Sequence, residues 1–218
     1  MRDSLEEQAR RYATKAHAEA GQRRKYTNEP YIVHPAAVVE LVRSVTHNEA
    51  MLAAAWLHDT VEDTPSTLND ICSYFGEEVA RLVEMLTDSS PAEAKNRAAR
   101  KVAHFRHTAL ACAEAQTIKL ADIIDNTRSI IHFDPHFARV YLVEKRVQIG
   151  LLTAGHADLW QQASLIIEQG IEQLTQAPHH VPPDWFTRQQ QKYPVADCPL
   201  LPDISVGHQS EKLSGKPQ

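Results

Sequence analysis

The apolar positions of this chain recur with a helical period. Val38, Leu41, Val42 and Val45 follow the i, i+3, i+4, i+7 spacing of one helix face, and Val79, Leu82, Val83 and Leu86 repeat it. Strand-like alternation is nowhere sustained and no segment repeats at a fixed period, so the pattern predicts an all-α fold. Several boundaries are written in the residues. Pro35 suits a first helical turn, where its nitrogen has no intrahelical partner to lose. Gly76 suits a C-terminal cap after Ile71 to Phe75, and Glu77 and Glu78 put negative charge at the next N-terminus. Pro65 steers Thr64 away from helical geometry, so the helix through Ala53 to Val61 should stop near Asp63. The expected helices lie near residues 3–20, 36–47, 49–61, 67–75, 77–88, 91–113, 115–131 and 135–175.

Proline placement divides the chain. Only Pro65, Pro91 and Pro135 fall between Pro35 and Pro178, whereas seven of the 12 prolines crowd residues 178–218. Residues 1–175 therefore read as one helical domain and residues 176–218 as an extended, Pro-rich C-terminal arm. Trp185, Phe186 and Tyr193 make that arm a candidate for wrapping a second copy of the chain, or else a mobile tail.

Composition narrows the chemistry. With 218 residues, 23 Lys and Arg against 28 Asp and Glu give a net charge of −5, the wrong sign for a general nucleic-acid binder. Ala50 to Leu57 is the longest apolar run, far short of the ~20 residues that cross a bilayer. The charged N-terminal stretch lacks the apolar core of a secretory signal. Cys72, Cys112 and Cys198 are too widely spaced for a disulfide framework or a CxxC metal site, so a reducing, cytoplasmic setting is expected. Neither GxGxxG nor GxxxxGK[ST] occurs among the seven glycines, which leaves side chains or a metal to handle any phosphate.

Polar residues then turn up where a core belongs. The stretch AAAWLHDTVEDT starts as a small-residue apolar helix and places His58, Asp59, Glu62 and Asp63 within six positions. On a continuous helix His58 and Glu62, like Asp59 and Asp63, stand at i, i+4 and project into one neighbourhood. Crowded carboxylates repel unless a cation compensates them; a solvated helix end is the competing interpretation. In TIKLADIIDNTRSI, Asp122 and Asn126 stand at i, i+4 on a helix that is apolar over most of its girth. A buried Asp needs a cationic partner, and either Lys119 or a metal can supply it. His34, just before Pro35, taken alone reads most simply as a helix cap. His34, His58, Asp59 and Asp122 together make two imidazoles and two carboxylates, a set suited to Mn²⁺ or Fe²⁺ with water completing the octahedron, and less typical of Zn²⁺. His104 with His107, and His132 with His136, are better placed as surface or core residues. Arg23, Arg24 and Lys25 read as a solvated basic loop and Tyr31 as a core filler.

The order RRKYTNEPYIVHP, WLHDTVEDT, FGEEVARLVEMLTD and IKLADIIDNTR resembles the HD-domain alarmone hydrolases of the RelA/SpoT homologue group over roughly residues 5 to 150, at the size of its hydrolase-only members. The resemblance implies an HD-domain helical bundle that removes pyrophosphate from the 3′ position of a nucleotide alarmone such as (p)ppGpp, with one Mn²⁺ per active site. Carried across, the metal ligands fall on His34, His58, Asp59 and Asp122. The catalytic acidic pair falls on Glu62 and Asp63, and the substrate-contacting residues on Arg24, Lys25 and Asn126. Such a metal lowers the pKa of water and polarises a phosphoryl oxygen, while a carboxylate one turn on takes the proton.

Two departures stand out. Where many of the group read KLADRLHN this chain reads KLADIIDN, with Ile123 for a basic residue and Asp125 for a histidine, and KYTNEPY lacks the usual glycine. A shift of base preference toward the adenine alarmone (p)ppApp is one consequence to test. The alternatives are an HD phosphohydrolase acting on other nucleotides and a nucleotide-sensing module without turnover; intact Glu62 and Asp63 speak against the latter.

Overall fold

The structure, a computed structural model, describes residues 3–88 and 96–195. Helices account for its regular elements: α1 (Leu5–Glu19), α2 (Val33–Arg43), α3 (Glu49–Leu57), α4 (Thr60–Asp63), α5 (Leu68–Phe75), α6 (Glu77–Leu86), α7 (Arg97–Ala109), α8 (Ala113–Phe133), α9 (Pro135–Ile149), α10 (Ala157–Thr175) and α11 (Pro183–Gln190). Among the described residues there is no strand, only an isolated bridge between Arg23 and Pro30. The predicted all-α class is observed.

The architecture follows from which helices are apolar all round. Every residue of α3 after Glu49 is buried, from Ala50 to Leu57, and α8 buries an unbroken run from Ala115 to Ile124. Helices of that kind must be enclosed on every side. Accordingly α1, α2, α6 and α8 surround α3, while α8 also carries α7, α9 and α10. The amphipathic α5 and α6 seal one flank through Ile71, Phe75, Val79, Leu82, Val83 and Leu86, all buried. Caps end these helices where the sequence suggests: Thr67 and Asp70 form a reciprocal capping box, and Gly76 takes φ 88°, a left-handed value that favours glycine.

Four expected helices differ by more than two residues at an end or are interrupted. The helix expected over 36–47 runs from Val33 to Arg43, because Asn48 accepts from the Met51 amide at 3.0 Å and starts α3 afresh. The helix expected over 91–113 runs from Arg97 to Ala109, and residues 91–95 lie outside the described residues. The helix expected through 49–61 breaks at His58 and Asp59, where Asp59 sits at φ −100°, ψ −3°. There the His58 Nδ1–H donates to the Ala55 carbonyl at 2.8 Å, a side-chain bond that competes with the helical ladder.

The helix expected over 135–175 is interrupted between Ile149 and Ala157. The connection is held by α8: the Ala154 amide donates to Gln116 Oε1 at 2.9 Å and the His156 amide to Thr117 Oγ1 at 3.0 Å. A Cβ on Gly155 would stand 2.6 Å from Leu120 Cδ1 and 3.3 Å from the Gln116 backbone, so a larger residue there would have to push the buried Leu120 side chain aside.

Residues 176–195 are not an extended arm. Helix α11 packs on α9, with Pro183 in its first turn and Phe186 only 2% exposed. Tyr193 Oη donates to Glu144 Oε1 at 2.9 Å, and Glu144 also takes both arms of Arg97 at 2.8 and 2.9 Å. Apolar side chains every few positions outweighed the local proline density. Cys198, the prolines at 199, 202 and 217, and any wrapping of a second copy by residues 196–218 lie outside the described residues.

Candidate metal and nucleotide site

The break after α3 is what builds the site. Neighbouring residues on an undisturbed helix do not face each other, yet His58 and Asp59 converge, with His58 Nε2 3.1 Å from Asp59 Oδ2. From the first turn of α2, His34 brings its Nε2 to 3.5 Å from the same Asp59 oxygen and 3.2 Å from Asp122 Oδ1 of α8. His58 Nε2 lies 3.9 Å from Asp122 Oδ1. All four residues singled out as metal ligands are therefore brought together, from α2, the α3–α4 turn and α8. One ligand atom each from His34, His58 and Asp59 falls within 4.8 Å of the others.

The donor set fits a divalent cation. Both imidazoles are 1% exposed. Each spends its Nδ1 on a defined acceptor, the Ala55 carbonyl for His58 and Asp125 Oδ2 at 2.6 Å for His34. That leaves two buried Nε2 atoms without a hydrogen-bond partner, both aimed at the carboxylates. A buried polar atom left unpaired is costly, and nitrogen lone pairs beside carboxylates are the chemistry of an N/O metal site.

Electrostatics agree. Burial opposes protonation of His34, but the charges of Asp122 and Asp59 facing Nε2 and the hydrogen bond to Asp125 on Nδ1 push its pKa up to about 9. Burial likewise opposes protonation of His58, and Asp59 and Asp122 outweigh it. Burial would raise the Asp122 carboxyl, but Lys119 and the two imidazoles hold it well below the usual range. A field that stabilises imidazolium is one that attracts a metal cation, whose binding displaces the proton.

The surrounding shell is more elaborate than the sequence suggested. Lys119 Nζ reaches Asp122 Oδ2 at 2.9 Å while the imidazoles face Oδ1, so pairing with Lys119 leaves the Oδ1 side of the carboxylate turned toward the two histidines. Tyr31 is not a mere core filler: its Oη donates to Asp59 Oδ2 at 2.6 Å and its ring lies 4.8 Å from that of His17. Asp125, which stands where the resembled family carries a histidine, holds His34 through Nδ1. Nothing in the local pattern marks Tyr31 or Asp125, because their partners are 28 and 91 positions away.

The remaining expected residues sort to two sides. Arg24, Lys25 and Asn126 line a cleft of about 500 Å³ with Tyr26, Tyr31, His34, Asp125, Phe137 and Tyr141. Arg24 Nη1 donates to Asn126 Oδ1 at 3.1 Å, and Asn126 Nδ2 donates to Asp122 Oδ1 at 2.6 Å. Lys25 lies over the rings of Tyr26 and Phe137. The loop that carries Arg24 and Lys25 turns at Asn28, φ 56°, so an asparagine supplies the left-handed residue without glycine. Glu62 and Asp63 do not line this cleft. Glu62 stands at the solvent edge of α4 and accepts the Asp88 amide at 2.5 Å. Protein packed on its inner side, with the charges of Asp59 and Asp88 adding to it, raises its pKa. Asp63 acts on His17 and Tyr31 through its charge.

The HD domain family profile matches residues 9–148, a span that contains every residue just described. This chain belongs to the HD domain family. A probable guanosine-3′,5′-bis(diphosphate) 3′-pyrophosphohydrolase of Synechocystis sp. is 40% identical over 121 residues, covering 54% of this chain and 16% of that protein. The guanosine-3′,5′-bis(diphosphate) 3′-pyrophosphohydrolase of Aquifex aeolicus is 37% identical over 113 residues, covering 50% and 16%. The HD domain chain thus spans about a sixth of the length of the curated relatives it matches. A solved structure described as a metazoan ortholog of SpoT that hydrolyzes ppGpp superposes with a TM-score of 0.67 at 28% identity, covering 78% of this chain and 97% of that one.

Proposed function

We propose that this HD domain hydrolyses the 3′-pyrophosphate of a nucleotide alarmone, (p)ppGpp or (p)ppApp, releasing pyrophosphate, with a single Mn²⁺ held by His34, His58, Asp59 and Asp122. The observation that carries this reading is the pair of orphaned Nε2 atoms beside two carboxylates, at the end of a cleft lined by Arg24 and Lys25. The names of the relatives and of the superposed structure supply the substrate class.

A divalent cation bound there supplies charge that polarises phosphoryl oxygens and eases deprotonation of water. The chain's own residues do the rest. Arg24 and Lys25 offset diphosphate charge, Arg through a planar fork and Lys as a point charge. Asn126 keeps Arg24 and Asp122 in register. Tyr26 and Phe137 offer apolar surface for a nucleobase. Glu62 and Asp63 are the acidic pair for proton transfer; the raised pKa of Glu62 moves it toward the range where a carboxylate accepts a proton at neutral pH. Among the described residues no helix is long and apolar enough to cross a membrane. We place the reaction in the cytoplasm, consistent with free Cys72 and Cys112.

The test is product analysis with metal-stripped protein, with and without Mn²⁺, against ppGpp, ppApp and nucleoside triphosphates. Mn²⁺-dependent pyrophosphate release from a 3′-diphosphorylated nucleotide is the expected outcome and reveals the base preference. Orthophosphate release from other nucleotides would replace the reading by a different phosphohydrolase, and tight alarmone binding without product by a sensing module.

A further inference from the structure

We infer that Asp125 is a positioning residue that fixes the orientation of His34 and ties the nucleotide-side Arg24 to the metal-side imidazole through one carboxylate oxygen. Asp125 Oδ2 accepts from His34 Nδ1 at 2.6 Å and is reached by Arg24 Nη2 at 3.5 Å. Asp125 sits one turn along α8 from Asp122, so the helix presents one carboxylate to the metal side of the His34 ring and the other to its far side. A carboxylate on Nδ1 keeps that nitrogen protonated, which leaves Nε2 as the lone-pair donor and raises its basicity; such outer partners set ring orientation and metal affinity.

The neighbouring residue completes a second link. Asn126 takes Arg24 on its oxygen and gives its amide to Asp122. Arg24 is thereby connected to His34 through Asp125 and to Asp122 through Asn126, although 102 positions separate it from Asn126. The side chain of Asp125 is 18% exposed, so its replacement leaves no sealed cavity.

The inference rests on the metal-holding role proposed above, and its test is read on metal binding rather than on turnover. Mn²⁺ affinity is measured by chelator competition for the parent, Asp125→Ala, Asp125→Asn and Tyr193→Phe, with melting curves to confirm folding. Asp125→Ala should lose about 10- to 100-fold in affinity, the loss typical of removing an outer partner of a ligating histidine. Asp125→Asn, whose amide oxygen still accepts from Nδ1, should retain most of it, and Tyr193→Phe, which loses only the hydroxyl donated to Glu144, should stay at the parental value. Parental affinity in Asp125→Ala, or an equal loss in Tyr193→Phe, overturns the inference; a parent that takes up no Mn²⁺ overturns both it and the metal-holding role. Nitrogen NMR of the Zn²⁺-loaded parent decides the matter without any variant. His34 should carry its proton on Nδ1 and the ion on Nε2, and the reverse arrangement is incompatible with the inference.

Discussion

His34 and His104 are both buried histidines, at 1% and 5% exposure, yet their surroundings drive them in opposite directions. His34 faces Asp59, Asp122 and Asp125, and its pKa rises to about 9 against the pull of burial. His104, on α7, is pushed down to about 3, first by burial and then by the charges of Lys119, Lys145 and Lys101, which outweigh Asp88. Lys119 belongs to both regions: its ammonium pairs with Asp122 on one side and repels a proton from His104 on the other. Residue type and burial therefore do not make a metal ligand. The distribution of fixed charge does, and a histidine hemmed in by lysines is ill suited to hold a cation.

Breaking the acidic side should have the largest effect. Glu62→Ala with Asp63→Ala should reduce turnover about 10²- to 10⁴-fold, the range for losing general acid–base catalysis, with Mn²⁺ affinity unchanged. Initial rates of pyrophosphate release together with metal titration check this; retained turnover would remove the pair from the chemistry.

The basic side should show itself in stability. The folded pKa of His104 lies below its unfolded value of 6.5, so between the two the unfolded chain binds the extra proton. Its contribution is complete above about pH 6.5 and declines as the pH falls toward 3, by a few kcal/mol in order of magnitude. Urea unfolding at pH 7 and pH 4.5 should show a smaller loss for His104→Gln than for the parent. An equal loss would place the titrating group elsewhere.

A smaller effect sharpens the origin of the shift. Burial also lowers the pKa of Lys145 to about 7, with Lys119 adding to it. Removing that charge with Lys145→Met should raise the His104 pKa by a fraction of a unit, read by proton NMR titration, and leave His34 unchanged. An effect confined to stability should come from Tyr193→Phe, which deletes the hydroxyl donated to Glu144. A loss of about 1–3 kcal/mol in chemical denaturation is expected for a hydrogen bond to a charged acceptor, with no change in metal affinity.

The residues that the sequence exposed were those whose chemistry conflicted with their surroundings. Asp122 stood out because a carboxylate does not belong on so apolar a helix, and His58 with Asp59 because they end a run of alanines that must be buried. The break after Leu57 was hidden, since it depends on the His58 ring competing for the Ala55 carbonyl rather than on a proline or glycine. Asp125 was hidden for another reason: its meaning lies in His34, on a different helix. The gap between α9 and α10 did leave a signal in Gly150 and Gly155, masked by apolar spacing that continues through Leu151 and Leu152. In the C-terminal region Pro183, Asp184 and Phe186 spelled a helix start that the local proline density obscured.

The most direct measurement is anomalous diffraction from crystals of the metal-stripped protein soaked in Mn²⁺. One manganese peak within bonding distance of His34 Nε2, His58 Nε2, Asp59 and Asp122 is the predicted result, and it should vanish in His58→Ala. A protein with this pocket intact and no peak there, or with manganese bound elsewhere, would contradict the account.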